Sequence, residues 1–257
     1  MLLVIDVGNT NVVFAVFDGE SLAGQWRIAT DARRTADEYG VWLTQVLEHA
    51  KISPESITGA VVASVVPQVL FDLRQLTKRY FNTELMVIGD PRLNLKMGVG
   101  VKIDNPAEVG ADRLVNSFAA WNKYKRALIV VDFGTATTFD VVSSAGDYIG
   151  GVIATGVNLS LEALHRAAAK LPNVAIEKPS KVIGTNTVGA MQSGLYYGYA
   201  GLVEGILARI KAEYGAEMLV IATGGLASLY SKACPSIEKT EPDLTIYGLK
   251  ELFEMNS

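Results

Sequence analysis

Two short stretches decide the reading of this chain: Ile5-Asp6-Val7-Gly8-Asn9-Thr10-Asn11, and Val131-Asp132-Phe133-Gly134-Thr135-Ala136-Thr137. In each, a carboxylate ends an apolar run and a glycine follows two residues later, allowing a tight turn before short hydroxyl or amide side chains. Asp6 and Asp132 stand 126 positions apart, close to half the length of the 257-residue chain. One such turn alone reads either as an ordinary hairpin, for which Gly-Asn is good chemistry, or as a cradle whose backbone N–H groups hold phosphate oxygens. In the second reading Asp6 holds a magnesium ion through water. Two copies, expected to face each other across a cleft, favour a nucleotide triphosphate site.

Working outward, the pattern around each turn repeats. Leu2–Val7, Asn11–Phe17 and Leu22–Ala29 read as three strands of an antiparallel meander. Tyr39, Trp42, Leu43, Val46, Leu47 and Ala50 then fall at helical spacing. A buried strand over Gly59–Val66, a helix after Pro67, a strand over Leu85–Ile88 and a helix over Val109–Lys123 follow. The order restarts with strands at Ala127–Val131, through Val142, and at Tyr148–Ile153, then helices at Leu159–Lys170 and Thr187–Tyr214. A strand at Met218–Ala222 and a helix after Gly225 complete it. This is duplication at domain scale. The expectation is an α/β protein of two duplicated lobes, 1–124 and 125–257, each a mixed β-sheet flanked by helices.

Composition narrows the function. With 49% hydrophobic and 19% charged residues, the chain is globular, and its length suits two modest domains or one large one. Net charge is −4, which argues against a broadly basic nucleic-acid surface. Apolar runs fall short of the roughly 20 residues that span a bilayer. The Met1–Asp6 stretch lacks the basic n-region of a signal peptide, so a cytoplasmic protein is expected. Cys234 is the single cysteine, excluding internal disulfides and cysteine zinc clusters. His49 and His165 lack metal-ligand spacing, and no Gly-x-x-x-x-Gly-Lys occurs, which separates this phosphate site from P-loop kinases.

Two further features carry weight. Ala222-Thr223-Gly224-Gly225 puts paired glycines at a strand-to-helix corner, either a routine connection or a place where a flat ring or sugar approaches closely. Gly194, Gly198, Gly201 and Gly205 recur every three or four residues in the long helix. Glycine costs about 1 kcal/mol per helix position against alanine. Close helix–helix approach would offset that cost, either within the chain or across a dimer.

The twin Asp-x-Gly turns and Ala-Thr-Gly-Gly resemble the superfamily of acetate kinase, sugar kinases, heat-shock ATPases and actin, with its duplicated actin/ribonuclease-H-like lobes. More closely, the chain resembles the type III pantothenate kinases from end to end. The resemblance is carried by Asp6–Asn11, Asn105–Arg113 (Asn-Pro-Ala-Glu-Val-Gly-Ala-Asp-Arg), Asp132–Asp140, Asn186-Thr187, Met191–Gly194 and Ala222–Gly225. It implies ATP-dependent phosphorylation of pantothenate to 4'-phosphopantothenate, the first step of coenzyme A biosynthesis. By position it implies that Asp6, Val7, Gly8, Asn9, Thr10, Asn11, Val12 and Val13 hold ATP with Mg2+, joined by Thr135. Asp112 would accept the substrate hydroxyl proton. Gly110, Ala111, Asp112, Arg113 and Thr187 would bind pantothenate, and Asp132 would bind a monovalent cation, K+ or NH4+. A homodimer without nucleic-acid or membrane partners is the family's habit. Ile103 departs from the pattern, standing where the family often has a substrate-contacting tyrosine. Two other readings stay open: a nucleotide-binding transcriptional accessory protein on the same fold, and a kinase for a different small alcohol.

Overall fold

The computed structural model describes residues 1–167 and 171–257. In chain order it contains β1 (Leu2–Val7), β2 (Asn11–Asp18), β3 (Ser21–Ala29), α1 (Ala36–His49), β4 (Gly59–Ser64), α2 (Leu70–Phe81), β5 (Leu85–Val87) and β6 (Gly100–Val101). Then come α3 (Ala111–Tyr124), β7 (Leu128–Phe133), β8 (Ala136–Val142), β9 (Asp147–Thr155), α4 (Val157–Ala167) and α5 (Thr187–Tyr214). The chain closes with β10 (Leu219–Gly224), α6 (Ala227–Tyr230), β11 (Lys239–Thr240) and α7 (Leu244–Asn256). Residues 168–170, expected to finish the helix that begins near Leu159, lie outside the described residues. No described helix is long and apolar enough to cross a membrane.

Two compact units result. The first holds Met1–Val99, Asn105–Ala119 and Thr245–Ser257; the second holds Gly100–Asp104 and Ala120–Leu244. This differs from a single cut between residues 124 and 125. The last helix belongs with the first sheet, because Ile246, Leu249 and Leu252 of α7 pack with Val4, Ala15, Phe17 and Val61. Removing those three side chains from water stabilises by about 1.5–3 kcal/mol each, enough to fix the helix there.

The first sheet has the order β3-β2-β1-β4-β5. The β1–β2–β3 meander is antiparallel, as expected, and β4 and β5 add in parallel to β1. Both faces are buried. Leu3, Ile5 and Val7 face α1 and α2 in one cluster, while Val4 faces α3 and α7 in the other. Because side chains alternate along a strand, Asp6 shares the face of Val4 and is on the side covered by α3.

The second sheet has the order β11-β10-β7-β8-β9-β6. Apart from the edge strand β6, this is the same connectivity: a three-stranded antiparallel meander, with β10 parallel to β7 and β11 parallel to β10. Even the irregularities match. The second and third strands slip register between Val16 and Phe17 in the first sheet, and between Val141 and Val142 in the second. Ile129, Val131 and Phe133 pack with Leu195, Tyr199 and Val203 of α5 in one core. Asn186 caps α5 by accepting the Gly189 N–H at 2.8 Å.

The opposite side of α5 settles one alternative. A Cβ built on Gly194, Gly198 or Gly201 would have no neighbour within 4 Å, and on Gly205 would meet only Arg209 Nη1 at 3.3 Å. Among the described residues, close helix packing within the chain therefore does not account for the glycine stripe.

Candidate active site

In the first unit, the carboxyl ends of the parallel strands meet the start of α3. The Val65 N–H, just past β4, donates to Val7 O at 3.0 Å, tying the end of β4 to the end of β1. Val65 Cγ1 in turn lies 3.6 Å from where a Gly110 Cβ would be. Gly89, just past β5 with φ +84°, would place a Cβ 4.0 Å from Ala111 Cβ. Crevices at the carboxyl ends of parallel strands are where open α/β sheets bind ligands.

Asp6 ends β1 half-buried, and the turn Gly8-Asn9-Thr10 follows it. The Gly8 N–H donates to Asn11 O at 3.0 Å, which closes the turn. Asn9, Thr10 and Asn11 are exposed to solvent. Val7, Val12 and Val13 differ: their side chains are in the core. These three can meet a nucleotide only through the backbone.

Asp112 lies in the first turn of α3, after a short 3-10 segment at Pro106–Glu108. Its Oδ1 accepts the Arg113 N–H at 2.8 Å. A Cβ on Gly110 would lie 2.5 Å from that same oxygen, so a larger residue there would make the carboxylate move. Burial pushes the Asp112 carboxyl above its usual range, while the N–H and charge of Arg113 draw it partly back. Gly110, Ala111, Asp112 and Arg113 are half-buried together.

In the second unit, the corresponding turn is Gly134-Thr135, one residue shorter than its counterpart. The Gly134 N–H donates to Ala136 O at 3.0 Å, and Thr135 is exposed. Thr137 is a correction to the expected row of hydroxyl donors. It is fully buried, with its hydroxyl unpartnered among the described residues.

Asp132 is half-buried at the end of β7, beside β10, where Thr223 and Gly224 pair with Asp132 and Phe133. Gly224, at φ +87°, would bring a Cβ within 2.4 Å of Asp132 Oδ1 and 2.8 Å of the Phe133 backbone. Its bare Cα is therefore occupied by the protein's own carboxylate. Gly225 has no neighbour within 4 Å of its would-be Cβ and keeps its face open. The paired glycines thus have different jobs, a distinction their spacing alone did not carry.

Thr187 is the exposed first residue of α5. Beside it opens a surface cavity of about 410 Å³ lined by Lys181, Thr185, Asn186, Gly189 and Gln192 among others. Among the described residues, no group of three or more His, Cys, Asp or Glu forms a metal cluster. Asp132 offers a half-buried carboxylate beside Gly224, hard oxygen chemistry that suits an alkali or alkaline-earth cation rather than zinc.

A family model described as type III pantothenate kinase matches residues 2–209. Relatives described as type III pantothenate kinase from Paramagnetospirillum magneticum and Phenylobacterium zucineum are 57% and 55% identical over 257 and 256 residues, covering all of this chain and 98% of each relative. Among solved structures, a conserved putative Baf family transcriptional activator from Campylobacter jejuni aligns with a TM-score of 0.61 at 17% identity, covering 99% of this chain and 98% of that one. A putative 2-dehydro-3-deoxygalactonokinase from Sinorhizobium meliloti aligns with a TM-score of 0.60 at 12% identity, covering 99% and 96%. At such identities the last two speak for a shared fold alone. The family model spans most of this chain and the relatives span all of it, and it belongs to the type III pantothenate kinase family.

Proposed function

We propose that the chain transfers the γ-phosphoryl group of ATP to the hydroxyl of pantothenate, giving 4'-phosphopantothenate for coenzyme A synthesis. The observation that carries the residue assignment lies within the first unit. The exposed Gly8–Asn11 turn and the Asp112 helix start sit at the carboxyl ends of adjoining strands, with Asp6 on the α3 side of the sheet.

Phosphoryl transfer asks for positioning and charge neutralisation more than covalent chemistry. The N–H groups and side chains of Asn9, Thr10 and Asn11 hold ATP phosphates, with Val7, Val12 and Val13 contributing backbone only. Asp6 would hold Mg2+ through water, and Thr135 would offer one hydroxyl to ATP. Asp112 accepts the hydroxyl proton as the new P–O bond forms; a carboxyl raised by its burial is a stronger base than an ordinary aspartate. Arg113 offers a planar fork to a carboxylate or to developing negative charge, and Gly110, Ala111 and Thr187 complete the pantothenate contacts. Asp132 would hold K+ or NH4+, its carboxylate being a hard oxygen donor for such a cation.

The exposed glycine side of α5 supports a homodimer, since a flat helix surface without intrachain cover favours close approach by a second helix. The test of the activity is ATP consumption with and without pantothenate in potassium buffer. Pantothenate-dependent turnover is the expected result. Turnover that ignores pantothenate, or that follows another small alcohol, would refute it.

A further inference from the structure

We propose that the residue directly after the third strand of each sheet, Thr30 after β3 and Gly156 after β9, is a positioning residue for the phosphate turn of its own unit. The proposal rests on the assignment of those turns to ATP. Neither residue belongs to the motifs that carry the family resemblance.

The register places them. The second and third strands begin pairing at Asn11↔Ala29 in the first sheet and at Ala136↔Thr155 in the second. The next residue, Thr30 or Gly156, therefore falls opposite the turn itself. Thr30 fixes two carbonyls of its turn: its N–H donates to Thr10 O at 2.9 Å, and its Oγ1 donates to Gly8 O at 2.7 Å. A trans peptide is planar, with its C=O and N–H pointing in opposite directions. Holding Gly8 O therefore aims the Asn9 N–H away from Thr30, and holding Thr10 O does the same for Asn11 N–H. A single residue behind the turn thus fixes the two peptide planes that flank Asn9-Thr10.

Gly156 does the matching job by contact. It is buried, and a Cβ there would lie 2.1 Å from Thr135 O and 2.7 Å from Gly134 O. Those two carbonyls rest on its bare Cα, which orients the next N–H groups in the same sense. Gly156 is itself anchored. Its carbonyl accepts the Ser160 N–H at 2.9 Å and the Tyr199 hydroxyl at 3.2 Å, and the same hydroxyl donates to Thr155 O at 2.8 Å.

The test uses the full chain. Thr30→Val removes the hydroxyl and keeps the shape and the N–H. Loss of one hydrogen bond of this kind should raise the ATP KM about five- to tenfold. The pantothenate KM should stay within about twofold, and Thr30→Ser should restore the ATP KM. In nucleotide-free protein, amide exchange across residues 8–11 should quicken in Thr30→Val and return in Thr30→Ser. Unchanged exchange in the turn overturns the role of Thr30 whether or not ATP binds. An ATP effect that Thr30→Ser fails to rescue overturns it too. Quickened exchange in a protein whose wild type binds no MgATP would sink the ATP assignment instead and leave the brace standing. Gly156→Ala should raise the ATP KM further than Thr30→Val. Should it fail to fold, Tyr199→Phe removes one of the two donors on the Gly156 carbonyl without adding an atom and should quicken amide exchange across residues 134–136; unchanged exchange there overturns the second half.

Discussion

Gly224 and Gly225 are neighbours in sequence, yet alanine at one should be costly and at the other nearly harmless. Gly224 has φ +87°, a region that costs an L-residue about 1–2 kcal/mol. Its added Cβ would also press to 2.4 Å from Asp132 Oδ1 and 2.8 Å from the N and C of Phe133. The carboxylate can swing aside, but the β7 backbone cannot, and overpacking of that kind costs about 1–3 kcal/mol. Taking about 3 kcal/mol in all, Gly224→Ala should melt roughly 6–12 °C below the wild type for a chain of this size.

Gly225 lacks both penalties, having open space around its would-be Cβ and no left-handed φ. Gly225→Ala should change stability by less than about 1 kcal/mol, in either direction. Thermal unfolding of both variants beside the wild type reads the contrast. A potassium titration of activity adds a second measure: Gly224→Ala should need more potassium for half activation, because its carboxylate has been displaced. Equal melting temperatures for the two variants would refute the account of Gly224 outright.

Asp112→Asn should lower kcat by about 10²- to 10⁴-fold, the usual worth of a general base, while MgATP affinity measured by calorimetry stays within about twofold. Near-wild-type turnover would remove Asp112 from the chemistry. Because burial raises the Asp112 carboxyl, kcat/KM for pantothenate should fall, as pH drops, at a pH above the ordinary aspartate value of about 3.9. Activity is present above that point, where the group is ionised, and lost below it, where the proton acceptor is filled; an acid limb at the ordinary value counts against the assignment. Cys234 is fully buried and its thiol is pushed up to about 12. A disulfide-exchange reagent at pH 8 should leave it untouched in the native protein and label it fully in guanidinium.

Much of this architecture was legible in the chain, for identifiable reasons. Both meanders declare themselves through apolar runs broken by Asp-x-Gly turns, and α5 through its length and its glycine cap at Gly215. Other parts carried weaker signals. β6 and β11 are two residues each, too short for any periodicity to show. The α7 helix does have apolar residues at Ile246, Leu249, Leu252 and Phe253, but no pattern within it says which sheet it will cover. Thr137 was misplaced because a constant offset of 126 maps it onto Asn11, whereas the register makes Ala136 the equivalent residue. One missing residue in a turn moves every later side chain to the opposite face of its strand.

That one-residue difference also divides the work between the two turns. The longer first turn leaves Asn9 and Thr10 exposed, with Asn11 at its edge, and braces them with a hydroxyl on Thr30. The shorter second turn exposes Gly134 and Thr135, and Asp132 Oδ1 lies 2.4 Å from where a Cβ on Gly224 would be. A triphosphate needs several converging donors, whereas a monovalent cation needs a fixed oxygen. On the proposed assignment the first turn takes the nucleotide phosphates and the carboxylate beside Gly224 takes the cation. The two meanders share their connectivity and the position of their register slip, and at this turn they differ by one residue.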